Sequence, residues 1–410
     1  MNTTAVKVSF PVVIVVAGAV AVLIGMGIRG SQGLYLKPMS VDLGWGREVF
    51  AFAMAMQNLL WGAFQPFAAA MTEKWGTGRV VAGGGVLYAV GLYIMSISQD
   101  PLTFNFSAGL LLGMAQSGCA LGAVLGAVGR ALPESSRTFG LGIVTAAGAA
   151  GQFTVVPIGQ AFLSYYGWST SFVLLGLLSI IIVFAAIFLR GKPPEARAAQ
   201  SSEAGGGEAL NMSGMLSLAS KDSSFWLLTA GFFVCGFHVA FISVHMPAYL
   251  DDKGLPTELG AYSLMLIGLF NVFGSIMAGY MGGKYSKKYL LSTLYSLRSV
   301  TIAIFIMVPI STPSVLVFSV AMGLLWLSTV PLTSGLVATI YGTRYMGTLF
   351  GIVFFSHQVG SFLGVWLGGY FYDTTGSYDL IWWAGIALGF TAAILHWPIH
   401  EQTRTEAVNA

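Results

Sequence analysis

The stretch FPVVIVVAGAVAVLIGMGIRGSQGLYLKPM, residues 10–39, joins a long apolar run to a glycine-rich segment that carries one arginine, Arg29. About 20 consecutive apolar residues are enough to cross the hydrocarbon core of a bilayer. Over the whole chain of 410 residues, 56% are hydrophobic and only 9% are charged, whereas roughly 25% is usual for soluble proteins. The sequence therefore predicts a polytopic membrane protein that has the lipid bilayer as its partner.

Similar apolar runs recur along the chain and predict twelve spans: 9–38, 48–71, 80–99, 102–129, 138–165, 168–190, 223–250, 258–282, 289–310, 313–340, 346–372 and 377–398. The long segment between spans six and seven is rich in Gly, Ala, Ser and Glu, which is typical of a flexible linker. We therefore expect a six-helix bundle over 1–190, a cytoplasmic linker over 191–222, a second six-helix bundle over 223–400 and a short cytoplasmic tail over 401–410.

The distribution of Lys and Arg predicts the orientation of these spans. Fourteen of the 19 cations fall in loops on one side, three fall on the other side, and Arg29 and Arg298 lie within spans. Because cytoplasmic loops carry the excess of Lys and Arg, both termini are predicted to be cytoplasmic in a bacterial inner membrane. The net charge of +3 forms no basic stripe of the kind that nucleic-acid binding requires.

The sequence contains no signature of an enzyme. Its two cysteines, Cys119 and Cys235, lie in apolar runs and have neither disulfide-framework nor metal-site spacing. No Ser/His/Asp, metal or phosphate-loop arrangement is evident. We therefore predict that the protein is not an enzyme and uses no metal or cofactor.

The two halves resemble each other. Span five begins RTFGLGIVTAAGAAGQF (137–153) and span eleven begins RYMGTLFGIVFFSHQVG (344–360), so that Arg137 matches Arg344 and Gly151 matches Gly360. The loops AAAMTEKWGTGR (68–79) and MAGYMGGKYSKK (277–288) follow spans two and eight. A parallel repeat of this kind is a recurring plan of transporters, which bind substrate near the midplane between the halves.

With these features the chain resembles the major facilitator superfamily, whose loop signature is glycine–x–x–x–aspartate–arginine–x–glycine–arginine–arginine. The resemblance implies an all-α fold of two pseudo-symmetric six-helix bundles and a functional monomer that works by alternating access. It also implies gating by the loop residues, here Glu73, Lys74, Arg79 and Lys284. The second loop departs from the pattern because Gly283 replaces the acidic residue.

Within the superfamily, GIRGSQGLYLKPM, QNLLWGAFQP (57–66) and HQVGSFLGVWLGGYFYDTTGSY (357–378) resemble bacterial relatives of the monocarboxylate and oxalate/formate porters. Two features of those porters are missing. Ser275 lies near the place of the span-eight arginine that binds carboxylate, and His357 and Gln358 occupy the region of the span-eleven lysine. Carboxylate binding would therefore have to come from other residues.

None of the 16 acidic residues falls inside a predicted span, so Arg29 has no acidic partner at membrane depth. A buried arginine costs about 2.5–3.5 kcal/mol on insertion scales, and its planar guanidinium fits a carboxylate. We therefore predict that Arg29 binds an anionic substrate, with Gln32 on the same helix face. The alternative is an arginine that reaches outward or packs against backbone carbonyls.

Further polar residues within the spans are candidates for the same site. We expect Gln116, His238, Trp326, His357 and Gln358 to line the cavity, and His238 or His357 to carry a coupled proton. The alternative for His238 is a histidine satisfied within a helix interface. His245 is predicted at the outer gate, and Arg298, Gln152 and Asn271 are predicted to be structural or gating residues; for Arg298 the structural role would be to bond helix-end carbonyls.

These observations lead to three functional hypotheses. The first is secondary transport of a small organic anion, a monocarboxylate above all, by proton symport or by anion exchange. The second is efflux of an amphipathic or neutral compound. The third is a membrane sensor that transports nothing.

Overall fold

The computed structural model describes residues 12–119, 121–132, 134–189, 212–342 and 345–403, which are helical almost throughout and contain no strand. The helices are α1 (Val12–Ser31), α2 (Leu36–Asp42), α3 (Arg47–Trp75), α4 (Thr77–Ile97), α5 (Pro101–Phe104), α6 (Leu112–Cys119), α7 (Leu121–Ala131), α8 (Glu134–Ala186), α9 (Met212–Lys221), α10 (Ser223–Asp252), α11 (Glu258–Gly282), α12 (Lys287–Met307), α13 (Thr312–Leu325), α14 (Thr329–Tyr341), α15 (Met346–Thr375) and α16 (Asp379–His396).

The helices agree with the prediction of twelve spans. Ten helical stretches of the described residues are long and apolar enough to cross a membrane. One of them belongs to α8, whose 53 residues contain a non-helical Gly167 with φ 74° and ψ 174°. A continuous helix of that length would extend about 80 Å, far more than the bilayer core of about 30 Å, so α8 comprises two spans. Helix α3, with 29 residues, is long enough to be the twelfth.

Three predicted spans are interrupted rather than continuous. A 3₁₀ turn, Gln32–Tyr35, separates α1 from α2, and a π-helical turn, Asn105–Leu111, separates α5 from α6. Span ten is broken between α13 and α14. Such breaks at membrane depth are tolerated only where the freed backbone groups find partners within the protein.

The predicted linker and tail are only partly described. Residues 190–211 and 404–410 lie outside the described residues, as does Arg344 of the sequence repeat. The last part of the predicted linker, Met212–Lys221, forms helix α9. This part of the predicted linker is therefore helical.

The glycines that match in the sequence repeat perform the same packing role in both halves. A Cβ built at Gly151 would lie 2.0 Å from the carbonyl oxygen of Leu23 on α1, and a Cβ at Gly360 would lie 2.0 Å from that of Phe233 on α10. A side chain at either position would force the helices apart. The first helix of each half therefore packs against the fifth in the same way.

The two halves also approach each other through small residues. A Cβ at Gly33 would lie 2.2 Å from the carbonyl oxygen of Ser243, and a Cβ at Gly369 would lie 2.6 Å from the Cβ of Ala51. These contacts bring the α1–α2 connection against α10, and α3 against α15. The site described next involves residues of α1, α3 and α15.

Candidate functional site

Arg29 of α1 has neutral partners. Its Nη2 atom donates a hydrogen bond to Oδ1 of Asn58 on α3 at 2.5 Å, and its guanidinium lies 5.1 Å from the centroid of the Trp61 ring. Asn58 is itself held by a bond of 2.8 Å from its Nδ2 to the carbonyl of Met54, one helical turn earlier. No acidic residue of the described chain forms an ion pair with Arg29. Within the described residues, the positive charge of Arg29 therefore has no acidic counter-charge in contact with it.

Several buried polar atoms on α3 and on the 3₁₀ turn after α1 have no partner within the described residues. The Nε1 of Trp61 and the Nε2 atoms of Gln32 and Gln57 are donors of this kind. Buried donors without acceptors are rare in native structures and usually indicate bound water, an ion or a ligand. This part of the protein therefore combines a cation with unused hydrogen-bond donors.

Gln116 lies beside this group rather than against the arginine. Its Nε2 donates to the hydroxyl of Tyr88 at 3.3 Å, and that hydroxyl donates to the carbonyl of Gly25 at 3.2 Å. The Oε1 atom of Gln116 is buried without a partner in the described part of the chain. Gln116 and Tyr88 thus continue the polar surface of α1 towards α4 and α6.

The opposite half contributes His357 and Gln358 of α15. Trp61 meets Phe354 edge to face, with ring centroids 5.6 Å apart, and Phe354 stacks on His357 at 5.7 Å with an interplanar angle of 7°. The Nδ1 of His357 lies 3.1 Å from Oε1 of Gln358. An unbroken series of contacts therefore leads from Arg29 in one half, through two aromatic rings, to His357 in the other.

Gln358 also reaches the first half directly. A Cβ at Gly62 on α3 would lie 2.8 Å from the Cγ of Gln358, so glycine is needed there to admit the glutamine side chain. The structure thus connects Arg29 of the first half with His357 and Gln358 of the second half, and their role in binding stays a prediction.

His238 and Trp326, also predicted for this site, lie elsewhere. His238 is 2% exposed, and its Nε2 is 2.7 Å from the carbonyl oxygen of Gly385 on α16. His238 therefore lies inside the second half with a hydrogen-bond partner on a neighbouring helix, which matches the alternative to a cavity-lining role given in the sequence analysis. Trp326 is buried at the break between α13 and α14. Periodicity indicated which residues share a face, but it could not identify the helix that covers that face.

Arg298 and Asn271 hold that break together. The Nη2 of Arg298 donates to the carbonyl oxygens of Leu325 at 2.5 Å and Trp326 at 2.6 Å, and Oδ1 of Asn271 accepts from the backbone N–H of Leu327 at 3.1 Å. Carbonyls at a helix C-terminus carry partial negative charge, which favours a cation there. Arg298 thus bonds carbonyls at the end of a helix, which is the structural role that the sequence analysis considered for it.

A charged cluster joins the halves at one end of the molecule. The Nη2 of Arg47 donates to Oδ1 of Asp252 at 2.8 Å, and its guanidinium lies 3.6 Å from the centroid of the Tyr372 ring. Lys37 forms ion pairs with Asp251 and with Asp252, the latter at 2.9 Å. We call the set formed by Lys37, Arg47, Asp251, Asp252 and Asp373 the latch.

Asp373 completes the latch by capping a helix of the other half. Its carboxylate accepts the backbone N–H groups of Arg47 at 2.9 Å and Glu48 at 2.7 Å, at the start of α3. The N-cap residue Gly46 has an ordinary extended backbone (φ −64°, ψ 157°) and no side chain to form a cap. A Cβ at Gly46 would lie only 2.4 Å from Oδ2 of Asp373. Glycine is therefore required here to leave space for the carboxylate from the other half.

The latch was missed in the sequence because its members are ordinary loop charges, up to 336 residues apart in numbering. One signal was present. Only three cations fall on the poorly charged side, and two of them, Lys37 and Arg47, are latch residues. The few cations on the poorly charged side of the predicted membrane topology are therefore the residues for which an ion-pair partner could have been sought.

His245 contacts the latch through Tyr378. Arg47 donates to the Tyr378 hydroxyl at 2.9 Å, His245 Nδ1 lies 3.1 Å from that hydroxyl, and His245 Nε2 lies 2.8 Å from the carbonyl oxygen of Val365. All three bonds are satisfied when Tyr378 donates to Nδ1 and Nε2–H donates to Val365. A neutral imidazole fits this arrangement.

The other predicted gating residues lie away from the latch. Gln152 joins the halves by donating from Nε2 to the carbonyl of Leu264 at 3.1 Å. Glu73, Lys74 and Arg79 are exposed around the connection between α3 and α4, and Lys284 donates to the hydroxyl of Tyr280 on its own half. Among the described residues, none of these four loop residues forms an ion pair with the opposite half.

Comparison with known proteins agrees with this architecture. The sequence profile described as Major Facilitator Superfamily matches residues 17–365. The chain is 26% identical over 366 residues to the uncharacterized MFS-type transporter YcxA of Bacillus subtilis, covering 87% of this chain and 88% of that protein. It is also 26% identical over 322 residues to monocarboxylate transporter 13 of Rattus norvegicus, covering 76% and 71% of the two chains.

Among solved structures, the fold is similar to that of a bacterial homolog of the human lysosomal transporter Spinster, crystallised in an inward-facing and occupied conformation. The TM-score is 0.75 at 12% identity, over 95% of this chain and 96% of the other. The shared fold and the sequence match over residues 17–365 agree with each other. The chain therefore belongs to the major facilitator superfamily of membrane transporters, which are not enzymes.

Proposed function

We propose that this protein is a secondary transporter that moves a small organic anion, a monocarboxylate above all, by alternating access. The observation that carries the proposal is the environment of Arg29. Its guanidinium lies at membrane depth against an amide and an indole ring, with no acidic partner in the described chain. A carboxylate from outside the protein would supply the missing charge.

The neighbouring groups suit a carboxylate better than a cation. A guanidinium can offer two parallel N–H donors to a carboxylate, and the unpaired donors of Gln32, Gln57 and Trp61 offer further bonds. Phe354 and Trp61 provide apolar surface for a short carbon chain. The similarity to a protein named monocarboxylate transporter 13 supports the same substrate class.

Alternating access is supported by the latch. With Lys- and Arg-rich loops assigned to the cytoplasm, the latch lies on the outer side of a cell membrane, and both termini lie inside. The latch would then close the outer end of the protein. Glu73, Lys74, Arg79 and Lys284 would form the corresponding inner contacts in the opposite state, while Gln152 would act near the pivot.

Proton coupling is assigned to His357. It is the predicted proton-carrying histidine that lies next to the Arg29 region, connected to it by Phe354 and Trp61. A positive charge on His357 would favour an anion in the same region. Proton and substrate would thus bind together, as symport requires.

The test uses purified protein and a panel of monocarboxylates. We expect at least one acid to raise the thermal unfolding midpoint of the wild-type protein and to show counterflow in proteoliposomes. Arg29→Ala should abolish both the thermal stabilisation and the counterflow. The loss of binding free energy for the acid should be roughly 1.5–3 kcal/mol, the value of a hydrogen bond to a charged group. Arg29→Lys should lose part of the affinity for the acid, because lysine keeps the positive charge but lacks the two parallel N–H donors of the guanidinium.

Arg130→Ala is the matched control. Arg130 of α7 also has a neutral partner, because its Nη2 donates to the hydroxyl of Thr77 at 2.5 Å, but it lies outside the Arg29 region. Its removal should leave the ligand-induced stabilisation unchanged. Unaltered stabilisation by every acid in Arg29→Ala would refute the binding role of Arg29.

The alternative of efflux of an amphipathic or neutral compound has one observation in its favour. Aromatic rings meet across the halves at Trp61–Phe354 and at Phe52–Phe362, the latter with centroids 6.1 Å apart. A drug-susceptibility screen of expressing cells would detect this activity. The family assignment supports transport over the sensor hypothesis.

A further inference from the structure

A cavity of about 490 Å³ lies in the second half, at the end of the molecule that carries the latch. Its lining includes residues from the end of α10, the end of α12 and the start of α16: Tyr249, Lys253, Ile306, Asp379 and Trp383. Lys253 directly follows the latch residue Asp252 in the sequence. None of these lining residues belongs to the Arg29 region, so the proposed function gives the cavity no role.

The cavity contains two opposite charges that are not paired with each other. Lys253 and Asp379 are both exposed, and neither forms an ion pair within the described residues. The Nζ of Lys253 lies 5.4 Å from the centroid of the ring of Tyr249, which also lines the cavity. The two acidic residues that precede Lys253 already pair with the cations of the latch. The ammonium and the carboxylate are therefore both available to a single ligand that carries the two complementary charges.

Apolar surface adjoins these charges. The indole of Trp383 is 49% exposed although it lies in the lining, and Met307 and Leu380, which are sequence neighbours of lining residues, are 67% and 53% exposed. All three belong to helices that are long and apolar enough to cross a membrane. Because Trp at the end of a span is typical of the level of the lipid headgroups, we expect the cavity at the depth where a headgroup meets its acyl chains.

We propose that this cavity binds phosphatidylethanolamine from the membrane leaflet at the latch end. In this arrangement Lys253 binds the phosphate, the carboxylate of Asp379 accepts hydrogen bonds from the primary ammonium, and Ile306 and Trp383 contact the first part of the acyl chains. Hydrogen bonds between ionised groups are roughly twice as strong as those between neutral groups. The proposal goes beyond the proposed function and does not depend on the transported substrate.

The two charges distinguish this lipid from two other common headgroups. The quaternary ammonium of phosphatidylcholine has no N–H to donate to Asp379. Phosphatidylglycerol has no positive charge, so its phosphate would bind Lys253 while the nearby carboxylate of Asp379 repels it. We therefore expect the amine lipid to bind more tightly than either of the other two, and equal binding of all three would overturn the proposal.

The first experiment measures lipid binding by the purified full-length protein in native mass spectrometry, with phosphatidylethanolamine added in detergent. Lys253→Met and Asp379→Asn should each lower the affinity for this lipid roughly threefold to fivefold, the effect of losing one exposed charge contact. Both side chains are exposed, so neither substitution leaves an internal void, and the unfolding midpoints without lipid should stay unchanged.

Glu258→Gln is the matched control. Like Asp379, Glu258 is an exposed acid in the first turn of a helix of the second half, but it does not line the cavity. Its substitution should leave lipid binding unchanged. Unaltered affinity in both cavity variants, or an equal loss of affinity in Glu258→Gln, would overturn the proposal.

The second experiment tests which part of the headgroup Asp379 contacts. Asp379→Asn should weaken binding of phosphatidylethanolamine but strengthen binding of phosphatidylglycerol, because it removes a carboxylate that bonds the ammonium and repels a phosphate. A parallel loss for both lipids would contradict the assignment.

A third arm separates a lipid from a soluble zwitterion. Glycerophosphoethanolamine is the same headgroup without acyl chains, and it should compete only weakly with the intact lipid. Competition as strong as that of the lipid would overturn the lipid assignment. Since none of these measurements involves transport, failure of the proposed function would leave their outcome unaffected.

Discussion

The latch makes a quantitative prediction for Asp373→Asn. In the structure the Asp373 carboxylate accepts two backbone N–H groups at the start of α3, at 2.9 and 2.7 Å, from the opposite half. Asparagine has nearly the same shape but keeps only one acceptor oxygen and no charge. The substitution therefore weakens the closed arrangement at this end without creating a cavity.

The size of the effect follows from helix capping and the helix dipole. Loss of an N-cap costs about 0.5–2 kcal/mol, and a carboxylate at a helix N-terminus contributes about 0.3–1 kcal/mol through its charge. Because asparagine retains one bond, we expect a loss of about 1 kcal/mol. That corresponds to a roughly fivefold increase in the population open at the latch end.

A cysteine placed between the halves reports the opening. Ala51 is 0% exposed and faces Gly369 of the other half, so Ala51→Cys should react slowly with a membrane-impermeant thiol reagent added on the latch side. Adding Asp373→Asn should accelerate labelling about fivefold. Asp100→Asn is the control, because Asp100 caps α5 within one half by accepting from Thr103 N–H at 2.9 Å. Equal labelling with and without Asp373→Asn, or equal acceleration by Asp100→Asn, would refute the reasoning.

Three other predictions concern single contacts. Gly46→Ala has a permitted backbone but puts a methyl group 2.4 Å from Asp373, so it should accelerate the same labelling; an unchanged rate would mean that the carboxylate moves aside without loss. Asn271→Ala leaves the Leu327 N–H at the helix break without its acceptor, so chemical unfolding in detergent should show a free energy of unfolding lower by about 1–3 kcal/mol. Undiminished stability would show that Asn271 does not stabilise the break. Burial opposes ionisation of Glu401, but hydrogen bonds at the start of α12 lower the pKa of its carboxyl group below the ordinary value of 4.5. The ionised Glu401 therefore stabilises the folded protein fully above pH 4.5. This stabilisation is lost as the pH falls through the lowered pKa of the folded state. The difference in unfolding midpoint between wild type and Glu401→Gln should shrink on acidification, and a constant difference would contradict the assignment.

The architecture could be predicted because its causes are local or repeated. Apolar length and loop charge define the spans one at a time, and the matched pair Gly151 and Gly360 reflects one packing geometry used twice. Arg29 could be singled out for a similar reason, since an unpaired charge in an apolar run is visible without knowing the neighbouring helices.

The rest depends on contacts between distant segments. Neither Gly46 nor Asp373 is unusual alone, and their relation appears only when α3 and α15 are side by side. His238 shares a helix face with other polar residues, but whether that face meets substrate or the backbone at Gly385 is decided by how α10 is rotated against α16. Sequence periodicity contains no information about that rotation.

The cap provided by Asp373 links movement of the halves to the electrostatic character of the entrance. While the end is closed, the two N–H groups at the start of α3 are neutralised by a carboxylate of the protein itself. In the alternating-access cycle proposed above, separation of the halves would expose the same groups to water with the partial positive charge of a helix start. The passage would then attract anions at the moment when it becomes wide enough to admit them, and Asp373 would displace them when it closes.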